Sequence, residues 1–156
     1  MQEYECCLDR PPLIGMVLAA HLILSTLSPL AMTEELARKI KMALERSWSE
    51  KTSVCYSQDA AASYGQCAPT AIVVREAFGG EILKTDGWPP NGRHFYNHID
   101  GVRYDFTADQ FEMAEYSHTV EYKDILSSAE EAATETLPGQ IDAMRAAFGK
   151  ALKEAG

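Results

Sequence analysis

The chain has 156 residues, of which 46% are hydrophobic and 24% charged, a composition that predicts a single soluble domain with a buried core. Its net charge of -9 argues against nucleic acid and anionic membrane surfaces as partners. The four cysteines include no CxxC pair, so we expect no structural zinc site and no other cofactor.

Residues 1–31 differ in character from the rest of the chain. The segment 13–30 is largely apolar, but acidic residues precede it where a secretory signal carries positive charge. Polar residues and Pro29 interrupt the segment, so it does not read as a membrane-spanning helix. We expect a single cytoplasmic domain over residues 32–156, preceded by a misassigned start or a loose tail. The alternative is a removable signal, which would make the protein an exported one.

Two helices are predicted in the first half of the domain. Thr33 is a suitable N-cap for an amphipathic helix that reaches to about Trp48, the side chain of which is expected in the core. Residues 49–64 show no periodicity and are expected to form a loop. A second helix is predicted over residues 68–78, because two glycines follow it directly.

A β-hairpin over residues 94–107 is the clearest structural prediction. Asp100-Gly101 stands between two β-rich runs and predicts a two-residue turn. A short strand over residues 81–85 and an irregular loop over residues 86–92 are expected before it.

Helical signals follow the hairpin. Thr107 and Gln110 have the spacing of a capping box, which predicts a short helical turn. Residues 123–136 and 140–154 then read as two helices separated by Pro138-Gly139. The elements together predict an α+β fold in which helices pack on a small antiparallel sheet.

The hairpin register divides its side chains between two faces. The face expected in the core carries Phe95, Asn97, Ile99, Val102, Tyr104 and Phe106. The polar face carries His94, Tyr96, His98, Arg103, Asp105 and Thr107. Asp105 is diagonal to both His94 and His98, and a carboxylate in that position can orient either imidazole. Both remain candidate bases, although a cation at Arg103 repels a protonated His98 and favours His94.

The segment Gly65-Gln66-Cys67 puts a thiol at the first turn of the second helix. A helix N-terminus and a nearby imidazolium both favour the nucleophilic thiolate. The backbone N–H of Cys67 or the side chain of Gln66 could donate to an oxyanion, and Gly65 would allow a sharp turn and close approach of a substrate. Tyr96 and Asn97, two and three residues after His94, are expected to support the site.

Five sequence blocks resemble the YunG-like family of small, functionally uncharacterised bacterial proteins. The likeness runs from about residue 34 to the C-terminus and rests on the blocks Ser47–Ser53, Gly65–Ala71, Gly79–Ile82, His94–Asn97 and Tyr104–Phe111. More remotely, the order of a helical Cys followed by a His and an Asp on strands is similar to papain-like and transglutaminase-like enzymes. That resemblance implies a papain-like arrangement with Cys67 as nucleophile, His94 as base and Asp105 as orienting acid.

These observations predict a cysteine-dependent hydrolase or acyl or amide transferase that acts on a small-molecule or peptide substrate. The alternative is a non-catalytic domain that binds a ligand or partner on the same scaffold. A redox sensor that forms a Cys55–Cys67 disulfide is a third hypothesis. The sequence indicates no particular oligomeric state.

Overall fold

A computed structural model describes residues 31–88, 92–112 and 120–155. These residues form α1 (Glu34–Glu45), α2 (Cys67–Phe78), α3 (Ala129–Ala133), α4 (Gln140–Glu154) and a 3-10 helix at Ala108–Phe111. The strands are β1 (Glu81–Trp88), β2 (Gly92–Ile99), β3 (Val102–Tyr104) and β4 (Ile125–Ser127), in the antiparallel order β3-β2-β1-β4. The α+β architecture with a small antiparallel sheet is therefore confirmed. In the described ranges no helix combines the length and apolar character that crossing a membrane requires.

The expected N-terminal extension, apart from residue 31, lies outside the described residues. The first predicted helix is present as α1, where the Thr33 hydroxyl caps the helix by accepting from the backbone N–H of Leu36 at 3.1 Å. The helix ends at Glu45, earlier than expected. Trp48 is nevertheless buried, as predicted, and its indole N–H donates to the Thr70 hydroxyl at 3.0 Å.

Helix α2 is the centre of the fold, because its residues from Ala68 to Val74 are all buried. One side packs with α1 and α4 in an apolar cluster that includes Ile40, Leu44, Val74, Met144 and Phe148. The other side packs on the sheet in a cluster of Ala68, Ala71, Ile72, Ile82, Phe95 and Ala132. The helix is therefore held on both sides, and Cys67 at its first position has a defined place relative to β2.

The predicted hairpin has the expected register. Asn97 pairs with Tyr104, and Ile99 pairs with Val102. Asp100 and Gly101 have φ angles of 52° and 80°, which is the combination that a type I′ turn requires. Two boundaries were wrong. Strand β1 does not end at residue 85 but continues to Trp88, with a register irregularity after Asp86, and β2 begins at Gly92, so strands occupy both ends of the loop expected over residues 86–92.

The two faces of the hairpin are less distinct than the alternation suggested. Phe95 and Ile99 are in the core as predicted, but Val102 is half exposed because β3 is an edge strand. The face expected to be polar is closed at one end, where His94 and Tyr96 are each 1% exposed. Side chains from the 3-10 helix and from residues 120–124 contact these two rings.

The helix predicted over residues 123–136 was the main error. Residues Ile125–Ser127 instead form β4, which pairs with β1 from Ile82 to Lys84. A strand there satisfies backbone groups along the open edge of β1, and this tertiary requirement outweighs local helix propensity. Only α3 is helical in that stretch, whereas α4 lies where the second C-terminal helix was expected.

Candidate active site

His94 and Asp105 form a buried pair at the base of the hairpin. Nε2 of His94 lies 2.7 Å from Oδ2 of Asp105, and the two side chains are 2% and 6% exposed. An ionised carboxylate only accepts hydrogen bonds, so Nε2 carries a proton and donates a hydrogen bond to Asp105. The other ring nitrogen, Nδ1, is thereby left for a different partner.

Asp105 is surrounded by donors. Its Oδ1 accepts from the backbone N–H and the hydroxyl of Thr107 at 3.0 and 3.1 Å, and its Oδ2 accepts from the phenol of Tyr122 at 2.7 Å. Burial alone would raise the pKa of Asp105, but the hydrogen bonds from His94, Tyr122 and Thr107 outweigh it and hold that pKa below its ordinary value. The carboxylate therefore stays charged inside the protein.

The neighbours of the His94 ring favour its protonated form. Burial disfavours its charged form, but the hydrogen bond to Asp105 and the neighbouring Cys67 thiol outweigh burial and raise the pKa of His94 from 6.5 to about 9. The thiol is thus close enough to the imidazole to affect its protonation. The fold brings together all three residues that the sequence singled out.

Cys67 is the first residue of α2 and is partly exposed. Because Cys67 opens the helix, no earlier helical turn supplies an acceptor for its backbone N–H. Cys55 is exposed, and neither it nor Cys67 is in a disulfide, so the redox-sensor hypothesis stays a prediction.

Gln66 and Gly65 shape the turn that leads to Cys67. The Gln66 side chain is fully buried and its amide nitrogen donates to the Ser49 carbonyl at 3.1 Å. Gly65 has a φ of 70°, and the close approach that it permits is to Ser53, because a Cβ at Gly65 would lie 2.5 Å from the Ser53 hydroxyl. These contacts hold the loop 49–64 against the start of α2.

Tyr96 and Asn97 brace the site from opposite faces of β2. The Tyr96 ring stacks beside His94 with 5.8 Å between ring centroids, and burial raises the pKa of its phenol to about 12. The Asn97 side-chain amide donates to the Ala71 carbonyl at 2.9 Å and so joins β2 to α2. Their contacts fix the relation between the strand that carries His94 and the helix that carries Cys67.

His98, the other candidate base, is remote from Asp105. Its Nδ1 lies 3.3 Å from a carboxylate oxygen of Glu81, and its side chain is 37% exposed. It pairs with Arg103 across the hairpin, as the register predicted. The structure thus pairs Asp105 with His94 and leaves His98 at the surface.

Three residues around His94 were not among the predicted site residues. The Gln110 amide nitrogen lies 3.4 Å from Nδ1, the Phe111 ring meets the imidazole edge-on at 4.6 Å, and Tyr122 reaches it through Asp105. Gln110 and Phe111 close one of the blocks shared with the YunG-like family, which was the available signal for them. Nothing in the local sequence marks Tyr122.

The described part of the chain contains no group of three or more His, Cys, Asp or Glu side chains arranged to hold a metal ion.

Comparison with known proteins identifies the family. The family model described as YunG protein matches residues 36–153. A Bacillus subtilis (strain 168) protein described as uncharacterized protein YunG is 40% identical over 114 residues, which cover 71% of this chain and 90% of that protein. No solved structure matches significantly, and the remoter likeness to papain-like enzymes finds no support in these matches. The chain belongs to the YunG family.

Proposed function

We propose that this protein is a cysteine-dependent hydrolase or acyl or amide transferase with a papain-like arrangement of Cys67, His94 and Asp105. The observation that carries the proposal is the buried hydrogen bond between His94 and Asp105, on a ring whose neighbours include Cys67. Asp105 takes Nε2 at 2.7 Å, and the Cys67 thiol acts on the same ring. A base oriented by a buried carboxylate beside a helix-terminal thiol is what thiol activation requires.

The chemistry follows from this arrangement. In the reactive state the Cys67 proton is held on Nδ1 of His94, as a thiolate–imidazolium pair, and Sγ attacks the carbonyl carbon of an amide or ester. Collapse of the tetrahedral intermediate breaks the bond to the amine or alcohol, which leaves with the proton from Nδ1. Water, or a second amine in a transferase, then attacks the thioester and releases Cys67. Asp105 remains charged throughout and stabilises the imidazolium.

In this proposal the first residue of α2 stabilises the oxyanion of the tetrahedral intermediate. The backbone N–H of Cys67 adjoins the reacting sulfur and has no acceptor in an earlier helical turn. The Gln66 amide is engaged with the Ser49 carbonyl. We therefore assign Gln66 to holding the turn, and the Cys67 N–H to the oxyanion.

The substrate that fits the proposal is a small molecule or peptide with an amide or ester bond, acted on in the cytoplasm. The acidic chain makes nucleic acid an unsuitable substrate. The non-catalytic alternative, a domain that binds a ligand or partner, predicts that Cys67 behaves as an ordinary thiol.

Alkylation with iodoacetamide tests the proposal without a known substrate. Modification of Cys67 and Cys55 would be followed by mass spectrometry between about pH 5 and 10, with exposed Cys55 as the internal control. We expect Cys67 to react at about pH 6 at least tenfold faster than Cys55, because only the thiolate attacks. If the two cysteines share one pH profile, the enzyme proposal fails and the binding alternative is preferred.

Two variants test whether His94 causes the faster alkylation of Cys67. His94→Gln should bring the Cys67 profile to that of Cys55, whereas His98→Gln should leave it unchanged, because His98 pairs with Glu81 at the surface. A screen of ester and amide substrates would then use Cys67→Ala as the inactive control.

A further inference from the structure

The turn from Asp105 to Gln110 contacts both nitrogens of the His94 imidazole. Asp105 accepts from Nε2 at 2.7 Å, and the side-chain amide nitrogen of Gln110 lies 3.4 Å from Nδ1. Gln110 is buried, as is the ring. A six-residue segment therefore holds one imidazole from both sides.

The orientation of the Gln110 amide is set by a second contact. Its nitrogen donates to the backbone carbonyl of Thr107 at 2.9 Å, and Thr107 is itself held by two hydrogen bonds to Oδ1 of Asp105. A carbonyl can only accept, so the amide nitrogen, and not the amide oxygen, must point to this side. An N–H group thus faces Nδ1 of His94.

An N–H donor beside Nδ1 favours a lone pair on that nitrogen and opposes an imidazolium that carries a second N–H there. We infer that Gln110 is a positioning residue that stabilises the neutral His94 ring with its proton on Nε2 and competes with Cys67 for Nδ1. Transfer of the Cys67 proton to His94 then breaks the Gln110 contact. This inference rests on the proposed function, because it concerns the base of that reaction.

The other neighbours of the ring do not favour the neutral form with its proton on Nε2 through a contact at Nδ1. Within residues 31–88, 92–112 and 120–155, the titratable groups around the ring are Asp105, Cys67, Tyr96 and, beyond Asp105, Tyr122. Tyr96 and Phe111 pack against the ring at centroid distances of 5.8 and 4.6 Å and restrict its rotation. Asp105 contacts Nε2, so among the described polar groups Gln110 and Cys67 are the ones left to act on Nδ1.

Long-range proton–nitrogen NMR spectra of the full-length, nitrogen-15-labelled protein test the inference. Protonation at each ring nitrogen is read directly, and His94→Gln assigns the resonances. Above its titration midpoint, the wild-type ring should carry its proton on Nε2. Gln110→Met should raise the midpoint of His94 by about half to one pH unit, since it removes one opposing donor. Gln110→Glu should raise it further, because a carboxylate stabilises the imidazolium.

Gln140→Met is the matched control, because Gln140 is also buried and hydrogen-bonded but contacts Ser53 and Leu137 rather than His94. It should leave the midpoint unchanged. A neutral ring with its proton on Nδ1 would overturn the inference, as would an unchanged midpoint in Gln110→Met. If Gln110→Met does not fold, the absence of an upward shift in Gln110→Glu decides against it. None of these readouts depends on Cys67 reactivity, so the enzyme proposal and this inference can fail separately.

Discussion

Gly65 and Ser53 approach each other so closely that no side chain fits between them. A Cβ at Gly65 would lie 2.5 Å from the Ser53 hydroxyl and 3.1 Å from the backbone nitrogen of Cys55. The Ser53 hydroxyl is not free to move, because it donates to the Tyr64 carbonyl and accepts from the Cys55 N–H. The turn before Cys67 thus depends on a glycine for both space and conformation.

Gly65→Ala is expected to destabilise the protein through two effects. The positive φ of 70° costs a non-glycine residue about 1–2 kcal/mol, and the contact with Ser53 adds to that. Gly139→Ala is the matched control, since Gly139 has a φ of 85° but no atom within 4 Å of its Cβ position. Urea unfolding should show a larger loss for Gly65→Ala than for Gly139→Ala. Equal losses would mean that the Ser53 contact relaxes without cost.

The raised pKa of His94 predicts a pH dependence of stability. Because the folded pKa of about 9 exceeds the ordinary value of 6.5, the charged ring stabilises the fold fully below about pH 6.5. This contribution should decline as the pH rises through about 9. Its size is at most a few kcal/mol, since one pKa unit corresponds to about 1.4 kcal/mol. Urea unfolding between these pH values should show a steeper decline for the wild type than for His94→Gln.

Asp105→Asn should lower the pKa of His94, because it removes the carboxylate but leaves the ring buried. NMR titration of His94 measures the shift directly. Asp109→Asn is the control, because Asp109 belongs to the same turn but binds Lys41 at the surface. An unchanged His94 titration in Asp105→Asn would show that the carboxylate does not support the imidazolium.

Tyr122→Phe should destabilise the protein by about 1–2 kcal/mol, because it deprives a buried carboxylate of a hydrogen bond. It should also raise the pKa of Asp105, since the phenol donates to Oδ2 at 2.7 Å. The stability that Asp105 contributes is present above its ordinary pKa and is lost as the pH falls, so the variant should lose it at a higher pH. Tyr56→Phe, at an exposed tyrosine, serves as the control in acid unfolding. Similar acid midpoints for the two variants would count against the Tyr122 contact.

The hairpin was predictable because one dipeptide determines it. Asp100-Gly101 suits only a narrow set of turns, and a two-residue turn leaves a single register for the strands. That register puts Asp105 within reach of both His94 and His98, and the folded chain pairs it with His94. The roles of these residues and of Cys67 remain predictions, because they concern reactivity rather than position.

The contact of Gln110 with His94 and the strand β4 could not be predicted from local sequence patterns. Thr107 and Gln110 match a capping box, yet the Thr107 hydroxyl donates to Asp105 instead of capping the helix. The Thr107 N–H, from which Gln110 would accept in a capping box, donates to Asp105 instead, and the Gln110 side chain contacts His94. Strand β4 depends on the open edge of β1, more than forty residues earlier, which no local window contains.

Because the hairpin is short, the His94–Asp105 pair can form during folding before Cys67 reaches it. His94 and Asp105 are 11 residues apart, so a hairpin alone can bring them together on the microsecond timescale of local folding. Cys67 belongs to a helix that is held on the sheet by the cluster around Ala71 and Phe95 and by the Asn97–Ala71 hydrogen bond, both of which need the packed fold. A partly folded chain can therefore hold its charged pair while its thiol is still apart from it. Completion of the site then coincides with the final docking of α2, and thiol activation would report on that event.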